Sequence, residues 1–222
     1  MKKLLYKYRF ELFLFSQLAI LFGSLIVPQT IFENILDPIL FLINLLAGII
    51  LISKRPRLVW FCVFVLGLSA ILFIISTLIG EKNETLDFLR LAGYFLFYLV
   101  VTFEIIKQVW LVKKVNKNVI YGLMSGFISL GLIGFFIFMT IEMVYHNSFQ
   151  GPPMLALAEQ PELITEKLMY FSFITLMTIG YGDIIPVTGL AQKAVILVGL
   201  IGNFYLVIIT AVVVEKYITH SK

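Results

Sequence analysis

Six consecutive residues, Thr178-Ile179-Gly180-Tyr181-Gly182-Asp183, carry the sharpest chemistry in the chain. Glycines at alternate positions permit backbone angles with φ > 0, which are closed to most residues. A strand that alternates left- and right-handed conformations aims successive carbonyls to one side. Four such strands around an axis would stack oxygen cages, and those cages replace the water shell of a dehydrated cation. Thr178 adds a hydroxyl below the lowest carbonyl ring. Asp183 follows as a carboxylate at the mouth, where it concentrates cations.

Such backbone needs a scaffold. Residues 161–186 read PELITEKLMYFSFITLMTIGYGDIIP. Pro161 suits the first turn of a helix, and Glu162 and Glu166 suit its positive end. The spacing predicts a helix to about Met177, with its negative C-terminal end at the hexapeptide, again favouring a cation. This apolar run is too short to cross a bilayer, which takes about 20 residues, so it reads as a re-entrant segment. Non-helical backbone at that depth must be buried in protein or line a water-filled cavity.

The rest of the chain fits that setting. Its 222 residues are 60% hydrophobic and 14% charged, against roughly 45–50% and about 25% in soluble domains. A fold of this size buries only about 70% of its surface, so the excess needs lipid. A soluble enzyme, a disordered tail and a disulfide scaffold are excluded; Cys62 is the single cysteine. No nucleophile–base constellation and no Cys/His metal cluster is legible, so the chain does not read as an enzyme. Six apolar stretches, at 9–28, 37–53, 58–79, 88–111, 119–145 and 187–215, are long enough to be spans. The fold class is therefore an all-α membrane protein of six transmembrane helices, with the re-entrant helix and its loop between helices 5 and 6. Most of the 17 Lys and Arg lie in 2–9, 54–57, 107–117 and 216–222, and most of the 13 acids lie on the other side. By the positive-inside rule both termini are cytoplasmic and the 163–183 segment enters from outside. The basic excess thus reports topology and not nucleic acid. The basic start and first apolar run lack a small-x-small cleavage site, which favours a retained helix over a signal peptide.

T-x-G-Y-G-D after a short apolar helix, flanked by two spanning helices, resembles the selectivity filter of tetrameric potassium channels. The resemblance covers residues 119–216, with firm motifs at 170–186. It implies a homotetramer in membrane lipid whose Thr178, Ile179, Gly180 and Tyr181 carbonyls coordinate K⁺, the permeant ion, with no cofactor. It implies that Gly180 and Gly182 permit the backbone path. Tyr181 would turn its ring outward against pore-helix aromatics. Tyr170 and Phe171 stand where the family carries paired aromatics, and Asp183 would hydrogen-bond back to that belt through the Tyr170 hydroxyl. Glu142 stands where family acids brace the loop behind the filter; a free interfacial carboxylate is the competing reading. Ile174 and Met177 depart from the family pattern, which bears on conductance and blocker affinity more than on selectivity.

Gly202 lies at the family's usual distance from Asp183 for an inner-helix glycine. It reads either as a gating hinge or as a close-packing contact between helices. Asn203 suits a water-filled cavity or a helix contact. Leu206, Thr210 and Val214 recur at i, i+4 and i+8 as one pore-facing stripe, able to close by dewetting. The chain then divides into a four-helix membrane domain, 1–118, and a pore domain, 119–222. Six spans with the pore in the last two resemble voltage-gated channels, yet the fourth span has only Arg90 and Lys107 at its ends. A voltage sensor needs several charges, each worth about 2.3 kcal/mol per 100 mV, so strong voltage gating is not expected. Glu104 suits a pair with Lys107 or a contact with the fourth loop, and Asn44 and Gln17 suit interhelical hydrogen bonds. Few residues follow Lys216, so gating is expected from the membrane part, the filter or a separate regulatory partner. The short chain without a cleavable leader favours a prokaryotic plasma membrane. A non-conducting regulatory subunit and a less selective cation pore are the alternatives.

Overall fold

The computed structural model describes residues 2–28, 31–79, 84–112, 116–155, 163–209, 211–212, 214–215 and 218. Thr210, Pro161 and Glu162 lie outside the described residues. The described residues are mostly helical, with one small two-stranded sheet among them. In order come α1 (Lys2–Lys7), α2 (Arg9–Phe22), α3 (Asp37–Leu51), α4 (Pro56–Ile79), α5 (Glu84–Leu111) and α6 (Lys117–Val144). Then follow β1 (Phe149–Gln150), α7 (Pro152–Leu155), α8 (Ile164–Leu176), β2 (Ile185–Pro186) and α9 (Gly189–Phe204).

Among the described residues, four helical segments are long and apolar enough to cross a membrane: Pro56–Ile75, Thr85–Leu111, Lys117–Val144 and Gly189–Ile209. They correspond to the third to sixth apolar stretches. The first two stretches form shorter helices: α2 has 14 residues and α3 has 15, below the length of about 20 that a span takes. Each has a local reason. At Gly23 α2 gives way to a 3₁₀ turn, Gly23–Leu25, and a Cβ at Gly23 would fall on the Phe32 ring. α3 opens with Asp37 and Pro38, which suit a helix N-terminus, but a π-helical turn, Phe32–Leu36, runs directly into it. Residues 32–51 are thus helical without a break.

The chain forms two compact units, Met1–Gly126 and Phe127–Lys222, with the boundary inside α6. In the first unit α2 packs on α3, α3 on α4 and α4 on α5. Its core is aromatic: Phe13, Phe97 and Tyr98 are fully buried, and the Tyr94 ring stacks on Phe41 at 4.9 Å. Through that core runs a polar thread. The Tyr98 hydroxyl donates to Asn44 Oδ1 at 2.5 Å, Asn44 Nδ2 donates to Ser16 Oγ at 2.7 Å, and Ser16 Oγ donates to the Phe13 carbonyl at 2.9 Å. Three helices are pinned by one amide, because buried polar groups must pair with each other where water is absent.

Glu104 on α5 is buried and pairs with Arg55 Nε at 3.2 Å and, among the described residues, not with Lys107; residues 113–115 of the fourth loop lie outside the described residues. The i, i+3 spacing offered a local partner, but α5 turns Glu104 inward to the α3–α4 turn, where Arg55 opens onto it.

Asn44→Ala removes the node of the thread and leaves the Tyr98 hydroxyl buried without its acceptor. It lowers the unfolding free energy of the detergent-purified protein by about 1–2 kcal/mol, seen as a fall in Tm. Tyr98→Phe, which deletes a single bond, falls by less. An unchanged Tm in Asn44→Ala contradicts the role given to the thread.

Candidate functional site

In the second unit α8 lies between α6 and α9, and small residues let the backbones approach. A Cβ at Gly131 would strike the Phe173 ring, and one at Gly134 would strike Ser172 Oγ. The Ser172 hydroxyl fills that notch and donates to the Gly131 carbonyl at 2.7 Å. From the other side, a Cβ at Gly202 would fall on the Leu176 carbonyl oxygen, whereas one at Gly199 would have 3.9 Å to the Thr175 carbonyl. Of the two readings for Gly202, close packing against the end of α8 is the contact present here.

The exit from α8 is set by its own orphan carbonyls. The Thr178 amide donates to Thr175 O at 3.0 Å and the Ile179 amide to Ile174 O at 2.9 Å. These are the paired bonds of a Schellman cap, whose turning residue is left-handed and usually glycine. Here it is Thr178, with φ 57°. Left-handed backbone strains a β-branched residue by about 1–3 kcal/mol. The Gly180 amide also reaches Ile174 O, at 3.4 Å. Beyond Thr178, Gly180 has φ 59° and Gly182 has φ 78°. Left-handed residues therefore recur at 178, 180 and 182. Thr178, Ile179, Gly180, Tyr181 and Gly182 are all exposed on the chain, and a Cβ at Gly180 or Gly182 would meet nothing within 4 Å.

The Asp183 end of the segment is held by two devices. Tyr170 Oη donates to Asp183 Oδ2 at 2.8 Å, and the Ile184 amide donates to Asp183 Oδ1 at 3.1 Å. The bond to Asp183 pushes the Tyr170 hydroxyl up from 10.0 to about 12. A raised pKa favours the protonated, donating form. Its contribution to stability is complete below pH 10 and is lost as pH rises toward 12.

The second device is a strap formed by residues 145–151. The buried Glu142 carboxylate accepts from the Asn147 amide at 2.7 Å and the Phe149 amide at 3.1 Å, one on each oxygen. That closes the turn after α6, where Asn147 has φ 61°. β1 then pairs antiparallel with β2, Phe149 opposite Pro186 and Gln150 opposite Ile185. The Val187 amide donates to Ser148 O at 2.9 Å, and Thr188, whose Oγ1 caps α9, reaches Ser148 Oγ at 3.1 Å. Gly151, at φ 136°, presses on the Asp183 carbonyl so closely that a Cβ would overlap that oxygen. Phe149 and Phe171 pack at 5.5 Å, each beside Phe138.

The structure thus brings Glu142, Phe171, Tyr170 and Asp183 around one loop. Among the described residues it does not bring the Tyr181 ring onto an aromatic of the same chain: Tyr181 is 71% exposed. In the last helix Asn203, Leu206 and Val214 are exposed. Of the i, i+4, i+8 stripe, Leu206 lies in the π-helical turn Tyr205–Ile209 and Thr210 lies outside the described residues. Ser148, Gly151, Ser172 and Thr188 were not singled out by sequence. Nothing in the Gly151-Pro152-Pro153 run signals contact with Asp183.

Residues 149–219 match a family model described as ion channel. The match begins at β1 and takes in the end of the strap, α8, the 178–183 loop and α9. Comparison with curated proteins and with solved structures gives no match. The match supports ion channel function, and with four apolar helices able to span, the chain reads as a membrane protein.

Gly202→Ala and Gly199→Ala separate packing from helix flexibility. Alanine gains about 1 kcal/mol of helix propensity at either position. Gly199→Ala has room and holds or raises Tm. Gly202→Ala forces α9 off the Leu176 carbonyl and lowers Tm despite that gain. Equal effects at the two positions contradict the contact.

Proposed function

We propose that the chain is one subunit of a potassium-selective channel, a homotetramer that conducts K⁺ passively down its electrochemical gradient. The carbonyls of Thr178, Ile179, Gly180 and Tyr181 coordinate the dehydrated ion, and Asp183 stands at the outer mouth. The observation that carries this reading is the run of left-handed residues at 178, 180 and 182. Alternating handedness is what turns successive peptide oxygens to one side. The open space around Gly180 and Gly182 fits a strand whose neighbours are other copies of itself. One such strand cannot encircle an ion, and a closed ring of identical subunits supplies the rest.

In this reading six spans cross the plasma membrane, both termini are cytoplasmic, and the 178–183 loop is reached from outside. Helix α8 directs the negative end of its dipole toward the inner side of the loop, favouring a cation there. Thr178 places its hydroxyl at the inner end. Asn203 and Leu206 line the water-filled cavity beneath, and Gly202 seats the inner helix against the filter's base. Gating comes from the membrane part, the filter or a separate partner, since the fourth span carries only Arg90 and Lys107 at its ends.

Purified protein in liposomes tests this under opposed K⁺ and Na⁺ gradients. The reversal potential follows the K⁺ gradient, and barium blocks the current. Gly180→Asp, which cannot adopt φ 59° without strain, assembles and carries no current. A reversal potential that ignores the K⁺ gradient, or selective current persisting in Gly180→Asp, refutes the assignment. A silent tetramer favours the regulatory-subunit alternative.

A further inference from the structure

Three segments of the first unit meet at one end of it. Gln108, near the end of α5, accepts from Arg9 Nε and Nη2 at 3.4 Å and donates to the Leu51 carbonyl at 3.4 Å. Arg9 Nη1 donates to the Tyr6 carbonyl at 3.0 Å. The Tyr6 ring carries two cations. The Arg9 guanidinium carbon lies 4.1 Å from its centroid and Lys54 Nζ lies 4.7 Å from it. Two charges from distant parts of the chain are therefore no farther apart than those two distances combined.

Glu104, the buried acid at this end, is taken by Arg55. Among the described residues no carboxylate lies within ion-pair distance of Lys7, Arg9, Lys54, Arg57 or Lys107. A ring face attracts cations, but it does not cancel their repulsion; an anion between them does. Arg9 has five N–H donors and spends three on Gln108 and Tyr6, so two remain for such an anion. Lys54 is exposed and adds its ammonium.

The position selects the anion. Residues 6–9 join α1 to α2, 51–55 join α3 to α4, and 104–108 lie in the last turns of α5, so the cluster sits at the ends of apolar helices. In a membrane that is headgroup depth, where basic groups attract anionic lipid. We propose that Tyr6, Arg9 and Lys54 form a binding site for the phosphate of an anionic phospholipid headgroup. Arg9, oriented by Gln108, and Lys54 flank the phosphate, and Tyr6 holds both cations in place. The site rests on the membrane reading of the chain but not on ion selectivity.

Native mass spectrometry of the full chain in detergent tests it, with phosphatidylglycerol and phosphatidylcholine of matched acyl chains. The wild type retains phosphatidylglycerol in preference. The double variant Arg9→Gln, Lys54→Gln weakens that preference by at least about tenfold. Lys54→Gln alone alters one exposed side chain, keeps the fold, and weakens it roughly fivefold. A control pair of equal charge loss, Arg57→Gln with Lys107→Gln, keeps most of the preference. Equal losses in the two double variants mean diffuse attraction and overturn the site. Added inorganic phosphate leaves the lipid bound; displacement at millimolar phosphate assigns the cluster to a soluble anion and overturns the lipid source. None of these outcomes depends on whether the chain conducts potassium.

Discussion

The Ile174 carbonyl accepts from two amides, those of Ile179 and Gly180, and this shared oxygen governs how the chain leaves α8. A helix end buried in protein must satisfy its last carbonyls, and here it does so with the backbone that follows. The geometry of that closure makes Thr178 left-handed. Once residue 178 is fixed in that hand, glycines at 180 and 182 continue the alternation. The shape of the loop is thus a consequence of helix termination, transmitted one peptide at a time.

The loop is held at both ends and free in the middle. Where the loop begins, α8 is wedged between the glycine notches of α6 and α9, with the Ser172 hydroxyl locked to Gly131 and Gly202 against the Leu176 carbonyl. Where the loop ends, the Asp183 side chain is tied to Tyr170, and its carbonyl is backed by Gly151. Glu142 joins these ends indirectly. Its two oxygens shape the turn that carries β1, β1 pairs with β2, and β2 follows the loop directly. A single carboxylate at the end of α6 therefore positions backbone beyond Asp183.

Much of the loop was legible because its residue types encode backbone angles. Alternate glycines announce left-handed positions, and a tyrosine and an aspartate thirteen residues apart turn out bonded across the loop. Glu142 was legible as a candidate brace, though not which amides it would hold. What escaped the sequence was non-local or irregular. Gly151 matters through a close approach to Asp183 that no spacing betrays. Arg55 meets Glu104 only because α5 turns inward at the α3–α4 junction. Apolar runs gave the positions of the helices but not their interruptions at Gly23 and in the two π-helical turns. Periodicity assumes 3.6 residues per turn, so a π turn is invisible to it.

Thr178 shows where folding and use part company. Glycine would take the same left-handed angle at that corner without steric conflict, and most helices that end in this way employ it. A chain shaped for durability alone would have made that exchange. Keeping a branched side chain on a reluctant backbone spends conformational comfort, and what that exchange retains at this corner is a hydroxyl.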